Sequence, residues 1–195
     1  MTRTFIALEM NDAQQRHLTG VIRQVATALP GIRWVNPAGI HLTLAFLGEL
    51  ADEQLAGVMH AVENAAHQAS PFSYRLSRLG SFGSPHQPRI VWMGIDEASG
   101  ALSHLHRVLN RELARRGFEV DKRPFSPHLT LARIRNPLAP DELQLLQTIL
   151  TGKQEGLVSS DTYMVQHVNV MKSELLRGGA QYTCLQAYAL AGKTR

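Results

Sequence analysis

His41-Leu42-Thr43-Leu44-Ala45 recurs, residue for residue, as His128-Leu129-Thr130-Leu131-Ala132, 87 positions further on. Apolar and polar side chains alternate with a period of two, the pattern of a half-buried β-strand. Residues i and i+2 of a strand share a face. His41 therefore stands beside Thr43, with Leu42, Leu44 and Phe46 on the opposite side, and His128 stands beside Thr130, backed by Leu129 and Leu131. Each copy presents an imidazole next to a hydroxyl, with an apolar side to anchor them. The expectation is that the two copies face each other across one cleft.

The flanks repeat as well. Residues 3–8 read as a strand, and Asn11 or Asp12 as the cap of a helix with apolar stripe Leu18, Val21, Ile22, Val25 and Leu29. Pro30-Gly31 ends that helix, and a brief extended piece over 32–35 turns through 36–39 into the first histidine strand. A second helix starts near Asp52, followed by a strand over 72–82 and a loop over 83–88. The order then begins again: a strand over 89–95, a helix over 97–116, a short extended piece and the second histidine strand. A helix near Asp141 and mostly strand over 158–170 follow. Residues 181–190 read as one further strand, returning to pair beside the N-terminal one.

Arg3 and Arg89 lie 86 positions apart, the histidines 87, and Asp52 and Asp141 89. Three landmarks of different kinds keep nearly one spacing, so the chain reads as a duplicated β-α-β-α-β unit. The expected architecture is one bilobal domain over 1–195, with repeats of about 3–83 and 89–172 and an extra C-terminal strand. Two copies are too few for a solenoid, so they pack as lobes about a pseudo-two-fold. Such an axis brings His41 and His128 together.

Composition bounds the partners. A chain of 195 residues, 44% hydrophobic and 18% charged, has the makeup of an ordinary globular protein. A net charge of +4 suits an anionic ligand without demanding nucleic acid. One cysteine, Cys184, excludes an internal disulfide framework and fits a reducing compartment. The apolar run at the N-terminus is too short for a signal peptide, and no stretch approaches a membrane span. The location expected is cytoplasmic, with no membrane partner.

Two imidazoles that titrate near neutrality can work as an acid–base pair, one removing a proton from water while the other protonates a leaving oxygen. Phosphorus suits a facing pair, because its attacking and leaving oxygens lie roughly in line. The threonine hydroxyls would donate to the non-bridging oxygens. A zinc site is disfavoured: there is no His-Glu-x-x-His, no second cysteine and no acidic residue inside either motif. No cofactor and no metal are expected.

His41-Leu42-Thr43-Leu44 and His128-Leu129-Thr130-Leu131 match the paired His-x-Thr-x signature of the 2H phosphoesterase superfamily. The surroundings are Arg33-Trp34-Val35, the run His41 to Glu49, Phe125-Ser126-Pro127-His128 through Arg133, and the tail from Ser173 to Tyr182. In these the chain resembles the RNA 2′,3′-cyclic phosphodiesterases, also called 2′-5′ RNA ligase-like proteins. The resemblance implies a bilobal α+β fold of antiparallel sheets and hydrolysis of a terminal 2′,3′-cyclic phosphate to a 2′-phosphate. It implies His41 as proton donor to the departing 3′ oxygen and His128 as proton acceptor from water, with Thr43 and Thr130 beside them. It also implies RNA termini or cyclic nucleotides as partners. Joining of 2′-5′ RNA ends, a smaller cyclic nucleotide as substrate, and a non-catalytic RNA-end binder stay open as alternatives.

Arg133 matches an arginine expected to touch the phosphate, yet lies five residues after His128, on the opposite parity, and reaches the cleft only if a bulge or the strand end rotates it. Ser126 stands where a basic residue is expected. Trp34 and Phe125 are the aromatics nearest the motifs and the candidates for stacking on a base, with core packing as the other reading. Arg115-Arg116 and Lys122-Arg123 form a small basic cluster that reads as a solvated surface or as an approach for RNA. An internal two-fold supplies what a homodimer would, so the chain is expected to act as a monomer.

Overall fold

The computed structural model describes residues 1–154, 156–177 and 179–192. Its elements are β1 (Thr2–Glu9), α1 (Asp12–Ala28), β2 (Arg33–Trp34), a 3-10 turn (Pro37–Gly39), β3 (His41–Leu50), α2 (Asp52–Ala66), β4 (Phe72–Ser84), β5 (Gln87–Asp96), α3 (Ala101–Arg115), β6 (His128–Arg133), α4 (Pro140–Thr151), β7 (Thr162–Val165), β8 (His167–Leu176) and β9 (Gly179–Ala189). Local chemistry sets the boundaries. Asn11 caps α1 in a capping box with Gln14, each side chain accepting from the other's backbone N–H at 2.9 Å. Helix α3 starts at Ala101, four residues later than its apolar pattern suggests. Gly100 is left-handed (φ 78°), and the Glu97 carboxylate accepts from Leu102 N at 3.0 Å, so 97–100 is a capping loop.

Every strand pairing is antiparallel, and the sheet order is β7-β4-β5-β6-β3-β1-β8-β9, with β2 against β6. Outward from the β6–β3 junction the two flanks correspond: β6-β5-β4 on one side, β3-β1-β8 on the other. The fold is thus α+β, bilobal and duplicated, but neither lobe is built from one half of the chain. Strand β4 of the first half lies between β5 and β7 of the second, and β8 of the second lies beside β1 of the first. The helices are exchanged in the same way. On the β3 side α2 packs against α3, with Arg111 donating to Gln68 Oε1 at 2.6 Å and His104 Nε2 donating to the Gln68 carbonyl at 3.0 Å. On the β6 side α1 and α4 meet β4, through a 2.5 Å hydrogen bond between Gln14 and the Tyr74 hydroxyl and through Arg78, which donates to the Leu150 carbonyl at 2.8 Å; Glu142 ties α4 to the end of α1 by accepting from Gly31 N at 2.9 Å.

Three connections differ from expectation. The loop over 83–88 is a two-residue turn at Pro85-His86 within a continuous β4–β5 hairpin, where Ser84 pairs with Gln87. Residues 158–170 divide at Gln166: β7 goes to β4 and β8 to β1. Strand β9 does not return to β1 but pairs outside it with β8. Alternation marks a segment as strand but leaves its partner unspecified, and in each case the next strand takes the nearest open edge.

One continuous core lies between the helices and the sheet and runs through both lobes. Leu42 and Leu129 are fully buried in it, together with Leu18, Val62, Leu105 and Leu109. A second, smaller cluster of Phe5, Ala7 and Met171, with Tyr182 against it, lies apart from that core. Phe5 and Tyr182 both touch His41, so this cluster floors the face on which the histidines stand.

Candidate active site

Strands β3 and β6 touch through one residue pair, Leu42 opposite Leu129. These two residues hold the same place in the two copies of the motif, so the local two-fold passes between them. In an antiparallel pair the neighbours then follow: His41 falls across from Thr130, and Thr43 across from His128, all four on the face opposite the leucines. Beyond that pair the two strands diverge, and the flank of β6 is taken by β2, with Arg33 opposite Arg133 and Trp34 opposite Ala132.

The two imidazoles are held alike. His41 Nδ1 lies 2.8 Å from the Gly39 carbonyl, and His128 Nδ1 lies 2.8 Å from the Ser126 carbonyl. A carbonyl can only accept, so Nδ1 carries the hydrogen in both rings and Nε2 is left to bind or release a proton. Aromatic neighbours fix the ring planes. His41 packs 4.7 Å from Phe5 and edge-on at 4.9 Å to Tyr182, and His128 packs edge-on at 4.8 Å to Phe82. Phe82 is braced by Trp92, whose indole lies across Gly80; a Cβ there would come within 2.3 Å of the ring. Burial pushes His41 below the ordinary imidazole value. The positive charge of Arg133 acts in the same direction, and the hydrogen bond to Gly39 opposes both.

Bulges at equivalent places decide which other side chains reach this face. In β3 the register passes from Thr43 opposite Ala7 to Ala45 opposite Ile6, skipping Leu44. In β6 it passes from Thr130 opposite Trp92 to Ala132 opposite Val91, skipping Leu131. Each bulge inverts the alternation beyond it. Arg133 is thereby turned to the histidine face, by the first of the two routes its parity leaves. Phe46 is turned there too, which corrects its expected place beside Leu42 and Leu44. It is 55% exposed, and the Arg3 guanidinium lies 4.9 Å from its ring centroid. The signal for Phe46 was available in the sequence, since it stands five residues after His41 as Arg133 stands five after His128.

Trp34 and Phe125 are not on this face. Trp34 pairs with Ala132, packs on the main core and donates from its indole to the Leu29 carbonyl at 3.4 Å. Phe125 stacks on His106 of α3, centroids 3.8 Å apart and planes within 8°, and also packs on the core. Both aromatics are spent on positioning the segments that lead into the histidine strands. Ser126 acts through its backbone carbonyl, which any side chain there leaves available. The three arginines of the basic cluster are paired internally: Arg115 and Arg116 hold Glu112 at 2.9 and 3.0 Å, and Arg123 holds Asp121 at 2.5 Å.

A family model of the 2′-5′ RNA ligase superfamily matches residues 13–174. The chain belongs to that superfamily. Among members of the 2′-5′ RNA ligase superfamily, the RNA 2′,3′-cyclic phosphodiesterase of Methanothermobacter thermautotrophicus is 27% identical over 188 residues, 96% of this chain and 98% of that protein. That of Geobacillus stearothermophilus is 34% identical over 145 residues, 74% of this chain but only 46% of the relative's length, so this chain spans about half of that protein. Two solved structures share the fold over nearly their whole length. TT0787 of Thermus thermophilus has a TM-score of 0.82 at 26% identity, covering 98% of this chain and 100% of that one. E. coli LigT complexed with 3′-AMP has a TM-score of 0.73 at 26% identity, covering 97% and 98%. Among the described residues no helix is long and apolar enough to cross a membrane.

Proposed function

We propose that this chain is an RNA 2′,3′-cyclic phosphodiesterase that opens a terminal 2′,3′-cyclic phosphate to a 2′-phosphate. The observation that carries the reading is the pair of imidazole–hydroxyl units about the Leu42–Leu129 dyad, both on one face and, among the described residues, both with no hydrogen-bond partner on Nε2. Water attacks phosphorus, His128 Nε2 takes its proton, the bond from phosphorus to the 3′ oxygen breaks, and His41 Nε2 gives that oxygen a proton. Proton exchange with solvent restores both rings. The Thr43 and Thr130 hydroxyls donate to the non-bridging oxygens, and the Arg133 guanidinium meets the same phosphate with its fork. Phe46 replaces Trp34 and Phe125 as the surface on which the terminal base stacks. One chain supplies both imidazoles, so a monomer suffices.

The relatives named as RNA 2′,3′-cyclic phosphodiesterases support this reading, and so does the fold shared with a LigT that holds 3′-AMP. The test is incubation of the purified protein with a nucleoside 2′,3′-cyclic phosphate and identification of the product isomer. A 2′-phosphate is expected, with turnover unaffected by excess EDTA. Replacing His41 or His128 with alanine is expected to lower kcat by about 10²- to 10⁴-fold each without unfolding the protein. Binding without product in the wild type would leave a non-catalytic RNA-end binder. A 2′-5′ linked product from a 5′-hydroxyl RNA would favour ligation, the same ring opening with a 5′-hydroxyl in place of water.

A further inference from the structure

Arg33 and Arg133 are direct cross-strand partners where β2 meets β6. Opposed residues on antiparallel strands project from the same face with Cβ atoms about 4.5–5.5 Å apart, and like charges so placed repel. Both side chains are exposed. Elsewhere the chain neutralises its clustered arginines, as Glu112 does for Arg115 and Arg116 and Asp121 for Arg123. Among the described residues neither Arg33 nor Arg133 has a carboxylate within ion-pair distance. Strand β2 is only two residues long, so it contributes little sheet. What it does is carry a second guanidinium to the edge of the histidine face, in the crotch where β3 and β6 diverge. Arg133 stands on the histidine strand β6 itself, and Arg33 stands on the neighbouring two-residue strand β2.

A cyclic phosphate ends an RNA at its 3′ side, so the rest of the chain leaves the site in one direction. The next charge along it is the phosphodiester on the 5′ side of the terminal nucleoside. Resting on the phosphodiesterase reading above, we infer that Arg33 binds that internucleotide phosphate while Arg133 serves the reacting one. The enzyme thereby prefers RNA ends to cyclic mononucleotides.

The experiment compares adenosine 2′,3′-cyclic phosphate with a tetranucleotide RNA that ends in the same group. Wild type, Arg33→Gln and Arg33→Lys are assayed at several salt concentrations. Arg33→Gln is expected to lower kcat/KM for the tetranucleotide about tenfold, through KM, and to leave the mononucleotide within about twofold. Its salt dependence on the tetranucleotide should flatten by about one unit of slope, with Arg33→Lys restoring part of the loss. Its melting temperature should match or exceed that of the wild type, because a like-charge neighbour is gone. Equal loss on both substrates, or loss on neither, overturns the inference. Failure of the wild type to turn over either substrate strikes instead at the phosphodiesterase reading. Arg33 is then judged by affinity for the corresponding 2′-phosphate ends, where weakening confined to the tetranucleotide supports its role and equal weakening or none rejects it.

Discussion

His41 and His128 are followed by the same residues and make the same kind of bond from Nδ1, yet the charge of Arg133 acts on His41 and the counterpart position after the first motif holds the uncharged Phe46. If His41 is the acid, only its protonated form works, and kcat/KM falls as pH rises through its value. That value lies below the ordinary 6.5. Arg133→Gln removes one of the influences that lower it, so the limb of the pH profile that follows His41 is expected to move to higher pH. A profile unmoved in both limbs would show that the Arg133 charge does not act on the reacting imidazole. At this scale repetition in the sequence marked the two histidine–threonine pairs that the β3–β6 contact brings to one face. It misdirected the choice of aromatics because Trp34 and Phe125 are near the motifs along the chain but point to the core. The oddness of Arg133, a wanted residue on the wrong parity, was the visible trace of a bulge, and the same reasoning applied to Phe46 would have found it.

Among the elements, α3 carries the clearest energetic test. Glu112 is 5% exposed and sits where α3 meets α2, held by Arg116, Arg115 and Asn64. The hydrogen bond from Arg116 is the main reason its carboxyl ionises below the usual range. Glu112→Ala is expected to cost about 1–3 kcal/mol in urea unfolding, less than a fully buried pair because Arg115 stays largely in water. A lowered carboxyl stabilises the fold above its unfolded value and loses that contribution as pH falls through its folded one. The difference between wild type and Glu112→Gln should therefore shrink in acid. The helices themselves were legible from their stripes. Their starts were less so: the capping loop over 97–100 depends on a left-handed Gly100 and a carboxylate turned back on its own backbone, which a hydrophobic pattern does not register.

For the molecule as a whole, the exchange of β4 and β8 makes each half incomplete. Cut at the Pro85-His86 turn, residues 1–85 leave β4 without either partner, and residues 86–195 leave β8 without β1. Each fragment is expected to be unfolded alone by circular dichroism, and an equimolar mixture to regain helix and sheet. A first fragment that folds by itself would contradict the exchange. Duplication was legible as a spacing near 87, whereas which half lends a strand to which was not, since strand pairing is set by edges that exist only once the sheet is assembled. The bulged position after each motif has a consequence of its own. A symmetric dimer of one short gene product would have to place the same side chain at both such positions, arginine twice or phenylalanine twice. Two copies within one polypeptide are under no such constraint, and here one position holds a cation and the other a ring, each following an identical His-Leu-Thr-Leu-Ala stretch.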